Sequence, residues 1–257
     1  MAAKTPIISF KNFSFQYRAQ KKPTLQDINL DIYPGERVLI AGPSGSGKST
    51  IAKLIASFWD VRSGSITVGG ADIRDISAGH YNKLVAYVSQ DNFLFNTSIY
   101  DNIKVGKPDA TKEEVFAAAQ KAQCMEFINR LENGIYTLAG DCGSALSGGE
   151  RQRVSLARAI LKNASVVILD EATANVDPEN EWMLQNAIQE LTKSKTVIMI
   201  AHRLKTVRHA DKIIVLDGGT ITEQGTHEEL VALGGLYAKL YNLQREKYTA
   251  KENCAHA

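Results

Sequence analysis

RVLIAGPSGSGKSTIAKLIASFW, residues 37–59, changes its hydrophobic period halfway along. RVLIAG (37–42) is a nearly continuous apolar run, the pattern of a strand buried on both faces. STIAKLIASFW (49–59) sets Ile51, Leu54, Ile55 and Phe58 at helical spacing. Between them lies GPSGSGKST (42–50), and a strand, a glycine-rich loop and a helix in that order are the setting in which phosphate is bound. Gly42, Gly45 and Gly47 let the backbone wrap close to phosphate oxygens, and the helix N-terminus adds a favourable dipole. Pro43, Ser44, Ser46 and Thr50 complete the cradle. Lys48 supplies a point charge to the β- and γ-phosphates, and the Ser49 hydroxyl is a ligand for Mg²⁺. The competing reading, a glycine-rich turn with no ligand, does not explain the lysine and hydroxyl at the mouth of the helix.

Outward from this stretch the chain alternates. Ile8 and Phe10, then Phe13, Phe15 and Tyr17, recur two apart, and LQDINLDI (25–32) repeats the pattern, so the N-terminal part reads as strands. SGSITVGG (63–70) is a hairpin element and KLVAYVSQ (83–90) a further strand. Between about 91 and 162 the composition becomes helical: TKEEVFAAAQKAQCMEFINRL (111–131) opens with a Thr111–Glu114 capping box, and LSGGERQR (146–153) opens a helix with Ser147 and Glu150. After 162, strands and helices alternate through SVVILD, ENEWMLQNAIQELTK, KTVIMIAH and a hairpin at Asp217-Gly218-Gly219, and Thr226 with Glu229 repeats the capping box. The expectation is an α/β fold with a largely parallel sheet, an antiparallel β-subdomain and an inserted helical subdomain. It forms one domain over 1–245, with its core at about 1–90 and 163–245, the helical insertion at about 91–162 and a loose tail at 246–257.

Composition bounds the partners. Thirty Lys and Arg against twenty-eight Asp and Glu give +2, too balanced for bulk attraction to nucleic acid. The cysteines Cys124, Cys142 and Cys254 lie in no metal-ligand spacing and read as reduced thiols. MAAKTPIISF has neither the basic nor the apolar region of a secretory leader, and no run reaches the length of a membrane span.

Further candidates stand at strand ends, where α/β sheets bind ligands. VVILDEAT (166–173) puts Asp170 and Glu171 there: one carboxylate to hold a metal hydration shell, the other to position or deprotonate a water, or else both simply cap the strand. His202 ends KTVIMIAH and Gln90 ends KLVAYVSQ, each open to a structural or a functional reading. Tyr17 either packs in the core or stacks on adenine. Gly148 and Gly149 lower helix propensity in the turn after Ser147 but leave its amides bare to an anion.

GPSGSGKST, Gln90, LSGGERQR, VVILDEAT and His202, in this order, resemble the nucleotide-binding domain of ABC transporters over residues of about 7–245. The resemblance implies ATP and Mg²⁺ as cofactors, Tyr17 stacking on adenine, Ser49, Gln90 and Asp170 at the metal, Glu171 as catalytic carboxylate and His202 at the γ-phosphate. It also implies that Ser147, Gly148, Gly149 and Glu150 reach the nucleotide of a second ATPase domain, homologous or identical. ANVD (174–177) matches the dimer-contact loop at Asp177, whereas Asn175 and Val176 depart from its usual form. FNTSIYDNI (95–103), TLAGDCGSALSGGE (137–150) and GTITEQGTHEEL (219–230) are similar to exporter ATPases, with Asp141 and Cys142 where a glutamate is usual. Residues 13–50 are closer to energy-coupling-factor importer ATPases, a mixture that fits natural variation or a recombined or engineered chain.

The resemblance places the chain on the cytoplasmic face of a membrane, against a transmembrane transporter domain. Phe93, Leu94 and Phe95 are either its apolar anchors or subdomain core. Two other readings compete: an ABC ATPase acting on DNA or ribosomes, and a nucleotide-binding scaffold without turnover. The short stretch from Lys48 to Ser147 leaves no room for a long coiled-coil insertion, and Glu171 with His202 argues for turnover.

Overall fold

The computed structural model describes residues 5–170, 178–200 and 210–255, with side chains described for 5–170, 181–200 and 210–246. The chain divides into two compact units, Met1–Tyr81 with Thr196–Ala257, and Asn82–Lys195. These divisions fall at 81/82 and 195/196, whereas the composition shifts sit near 91 and 162. The second unit therefore includes a strand pair and a long helix as well as the expected helices.

In chain order the first unit opens with β1 (Ile8–Phe15), β2 (Leu25–Ile32), β3 (Arg37–Ala41), α1 (Lys48–Ile55), β4 (Ser63–Val68) and β5 (Ala71–Asp72), and α2 (Ala78–Leu84) leads out of it. The second unit carries β6 (Val85–Val88), α3 (Ile99–Lys104), α4 (Lys112–Lys121), α5 (Met125–Ile128), α6 (Gly148–Lys162), β7 (Val166–Asp170) and α7 (Pro178–Thr192). The chain returns with β8 (Thr196–Ile200), β9 (Lys212–Asp217), β10 (Thr220–Gly225), α8 (His227–Leu233) and α9 (Leu236–Ala255). α9 thus carries helix through most of the stretch expected to be a loose tail.

Two sheets build the first unit. One is antiparallel, in the order β2-β1-β4-β5. Its register shifts between Phe10 and Phe13, where Asn12 takes φ 46°. That bulge resolves the change of phase in the sequence: one extra residue lets Ile8 and Phe10 before it, and Phe13 and Phe15 after it, all face the core. The second sheet runs β10-β9-β3-β8, with β3 parallel to both β8 and β9 and the β9–β10 hairpin antiparallel. Flanked on both sides, β3 is buried from Val38 to Ala41, as its apolar run requires. Leu39 and Ala41 pack with Ile213, Val215, Leu230 and Tyr237. Glu223 fixes this corner by accepting from the backbone amides of Leu236 and Tyr237 at the start of α9, at 2.5 and 3.1 Å.

In the second unit β6 and β7 pair in parallel, and β7 is buried throughout. The three sequence-read capping boxes, Thr111–Glu114, Ser147–Glu150 and Thr226–Glu229, are all formed. The helix expected over 111–131 is instead two, because Gln123 turns left-handed at φ 58° and the Cys124 amide reaches back to the Ala119 carbonyl at 2.9 Å. The break turns both Cys124 and Phe127 inward, where the buried Arg153 guanidinium lies 5.3 Å from the Phe127 ring and 3.6 Å from Glu126. Burial pushes the Cys124 thiol up to about 12, so it is an inert core side chain, while Cys142 is exposed. The strand expected over 83–90 is shorter, since Leu84 ends α2 and β6 stops at Val88.

Truncating β3 in its packed centre removes apolar contacts on both faces. Leu39→Ala is expected to lower stability by about 2–5 kcal/mol, read as a fall in the urea midpoint at unchanged slope.

Candidate functional site

The first unit holds the phosphate loop. β3 ends at Ala41 and α1 begins at Lys48, with Gly47 at the helix N-cap in the left-handed region (φ 104°). A Cβ on Gly47 would stand 2.6 Å from Leu25 Cδ2, and one on Gly42 would stand 2.1 Å from the Leu216 carbonyl oxygen. The loop is therefore wedged against its own unit by two positions that admit no side chain. Gly45, by contrast, faces open space.

The polar groups of this loop suit an anion. Lys48 is buried, and its Nζ donates to the carbonyl oxygens of Gly42 at 3.1 Å and Pro43 at 2.8 Å. Ser46 is buried too, and its Oγ finds no hydrogen-bond partner among the described residues. α3, α4, α6 and α8 each have a side-chain N-cap and an acidic residue in the first turn. α1 has neither. With no side-chain cap and no first-turn carboxylate, the positive end of its dipole favours an anion. A triphosphate fits this cradle. The Ser49 hydroxyl at its mouth is a hard oxygen donor of the kind Mg²⁺ takes.

Tyr17 lies just beyond β1, half-buried, with its hydroxyl 3.2 Å from Thr50 Oγ1. Its ring contacts Phe15 and Trp59, both edge to face. The structure thus brings Tyr17 to the start of α1 rather than into the core.

The second unit holds the other candidates. Asp170 ends β7, and its Oδ2 accepts from the Tyr87 hydroxyl of β6 at 2.6 Å. Gln90 is exposed in the turn two residues past β6, and its backbone carbonyl accepts from Asn92 Nδ2 at 3.0 Å. Ser147 caps α6: its Oγ accepts from the Glu150 amide at 3.3 Å, while Glu150 accepts from the Ser147 amide at 2.8 Å. Ser147 and Gly148 are exposed, and a Cβ on Gly148 would meet nothing nearer than Arg151 Nη2 at 4.0 Å. This turn is open to approach from outside the chain. Glu171, Asn175, Asp177 and His202 lie outside the described residues.

Phe93, Leu94 and Phe95 separate. Leu94 is fully buried, the core alternative of the two readings, whereas Phe93 and Phe95 are 47% and 49% exposed. Their loop is held from within by two residues that apolar periodicity does not reveal. Asn102 donates to the Phe95 carbonyl and accepts from the Phe95 amide, and Arg158 donates to Asn102 and to the Phe93 carbonyl. The same loop borders a groove of about 260 Å³ lined by Tyr87, Phe93, Phe95, Val105, Ser155 and Arg158. The Ser155 hydroxyl is buried there with no hydrogen-bond partner among the described residues.

Tyr87→Phe removes a hydrogen bond to a buried carboxylate while leaving the ring in place. Stability is expected to fall by about 1.5–3 kcal/mol, measured by chemical denaturation.

Comparison with known proteins bears on the family of the chain. The family model described as ABC transporter matches residues 25–174. An ATP-dependent lipid A-core flippase of Vibrio parahaemolyticus is 48% identical over 238 residues, covering 92% of this chain and 41% of the flippase. A putative multidrug export ATP-binding/permease protein of Bacillus subtilis is 46% identical over 237 residues, with the same coverage. Among solved structures, a bacterial Atm1-family ABC exporter with ATP bound superposes with a TM-score of 0.87 at 39% identity, over 95% of this chain and 42% of that one. The chain therefore spans about two fifths of the length of these relatives.

Proposed function

The chain belongs to the ABC transporter family as its ATPase domain, and we propose that it is the ATP-hydrolysing motor of an exporter. The observation that carries the reading is the uncapped N-terminus of α1 with Lys48 held at its mouth. In this proposal residues 1–245 work as one ATPase domain. The phosphate loop binds ATP through its amides, the Ser46 hydroxyl and Lys48, whose ammonium exchanges loop carbonyls for phosphate oxygens. Tyr17 stacks on the adenine.

Ser49, Gln90 and Asp170 would hold Mg²⁺, which when bound neutralises charge across the β- and γ-phosphates. Tyr87 orients Asp170. Glu171 accepts a proton from the attacking water and His202 donates to the γ-phosphate, both assigned on the family resemblance.

The exposed signature turn serves a nucleotide held by a second ATPase domain. Ser147 Oγ can donate to a phosphate oxygen while it accepts from the Glu150 amide. Two such domains sandwich two ATP molecules, with Asn175 and Asp177 at the contact, and hydrolysis weakens the bridge. The motor sits on the cytoplasmic face of the membrane. Among the described residues no helix is long and apolar enough to cross it, so transport requires a transmembrane domain. The 93–95 loop and the groove beside it suit that partner: two exposed rings anchor an apolar helix, and the Ser155 hydroxyl, without a hydrogen-bond partner among the described residues, takes a polar group from it.

Glu171→Gln is expected to bind ATP, to lose steady phosphate release by about 10²-fold or more, and to elute as a dimer when ATP is present. A variant that stays monomeric with bound ATP overturns the sandwich. Phe93→Ser and Phe95→Ser, on exposed positions, are expected to leave the melting temperature and basal ATP hydrolysis unchanged while transport by the assembled exporter falls. Joint loss of hydrolysis and stability would instead make these rings part of the subdomain core.

A further inference from the structure

We propose that Trp59 is a positioning residue for the Tyr17 ring and so sets affinity for the base of the nucleotide rather than for its triphosphate. The inference rests on the reading of Tyr17 as the adenine platform. Trp59 belongs to neither the phosphate loop nor the body of α1, and helical spacing does not select it, yet the chain is bent to bring it to Tyr17. α1 ends at Ile55 with Ala56 as its C-cap, and Ser57 then takes the left-handed conformation at φ 59°. The Phe58 amide bonds to the Lys53 carbonyl and the Ser57 amide to the Leu54 carbonyl, both at 2.9 Å. This pair of bonds is the Schellman reversal, which stops the helix and redirects the chain within two residues.

The redirected chain sets the Trp59 indole 5.1 Å from the Tyr17 ring, with their planes at 86°. Phe15 stands 4.9 Å from the same ring at 87°, and Phe15 and Trp59 are themselves 6.3 Å apart. Edge-to-face geometry is the favoured arrangement of aromatic pairs, so each neighbour resists rotation of the Tyr17 ring. The third restraint is the hydroxyl contact with Thr50. A stacking ring fixed before the base arrives loses less freedom on binding, which appears as affinity.

Phe15 is buried and tied to the β1 core, but Trp59 is 46% exposed. Its removal therefore tests orientation with little loss of core. A residue that merely covers the end of α1 would affect every ligand of the loop alike. One that orients the base platform affects ATP and not a triphosphate lacking a base.

The test measures binding of ATP and of inorganic tripolyphosphate to the full chain and to Trp59→Ala, Trp59→Leu, Trp59→Phe and Tyr17→Ala. Trp59→Leu keeps apolar volume without a ring, so it serves where alanine harms folding. Trp59→Ala and Trp59→Leu are expected to weaken ATP about threefold to tenfold, the range one edge-to-face pair supplies. They should leave tripolyphosphate affinity and kcat at saturating ATP unchanged, and Trp59→Phe should restore most of the ATP affinity. Equal weakening of ATP and tripolyphosphate overturns the proposal by showing a general structural role. Unchanged ATP affinity in Trp59→Leu, with weakening in Tyr17→Ala, overturns the proposal and leaves the platform standing. Unchanged ATP affinity in Tyr17→Ala removes the platform itself.

Discussion

The central constraint is a helix end left electrostatically incomplete. α1 starts on a glycine, carries no acid in its first turn and receives no side-chain cap. Such an end is tolerable because β3 behind it is buried and paired in parallel on both sides, so the loop needs no local cap to keep its place. The wedged glycines at 42 and 47 fix the loop from below, and Lys48 folds onto its carbonyls from within. In the proposed function a phosphate completes this end: it partners the Ser46 hydroxyl, which has no hydrogen-bond partner among the described residues, and sets a negative charge at the positive end of the dipole.

Most of this was legible because local rules and global fold agree. The period change at Gly42 marks the strand-to-helix switch, and three capping boxes mark helix starts that the structure forms. The failures are equally local in origin. The phase slip between Phe10 and Phe13 is a bulge, and the split of 111–131 at Gln123 is a left-handed turn. Neither residue is glycine: Asn12 is of a type that tolerates the left-handed region, whereas Gln123 gives no such signal. Propensity alone predicts a continuous helix there; burial of Cys124 and Phe127 around Arg153 decides otherwise.

At the site, what the sequence hid is polar and long-range. Tyr87 sits within an apolar strand pattern and reads as core, but its hydroxyl serves Asp170 across the β6–β7 pair. Asn102 and Arg158 lie on helices far apart in sequence, and their hydrogen bonds shape a loop belonging to neither helix. Apolar periodicity carries no information about such pairings. It identified Phe93, Leu94 and Phe95 as a group and could not separate the one that packs from the two that remain exposed.

The two glycine-containing helix starts now separate into unequal partners. α1 presents an uncapped end together with a lysine, whereas α6 meets its own needs through Ser147 and keeps the Glu150 carboxylate in its first turn. That carboxylate opposes an approaching phosphate, so on electrostatic grounds α6 is the weaker anion site. In the proposed sandwich the asymmetry has a use. ATP binds first to the loop at α1, where Lys48 offsets part of its charge, and only that complex is a ligand for the exposed turn at α6 of a second domain. A turn with strong phosphate affinity of its own would capture free nucleotide and hold the domains apart. In that proposal the weaker one closes on occupied partners and lets go when the γ-phosphate leaves, because the bridge then loses the group that both domains contact.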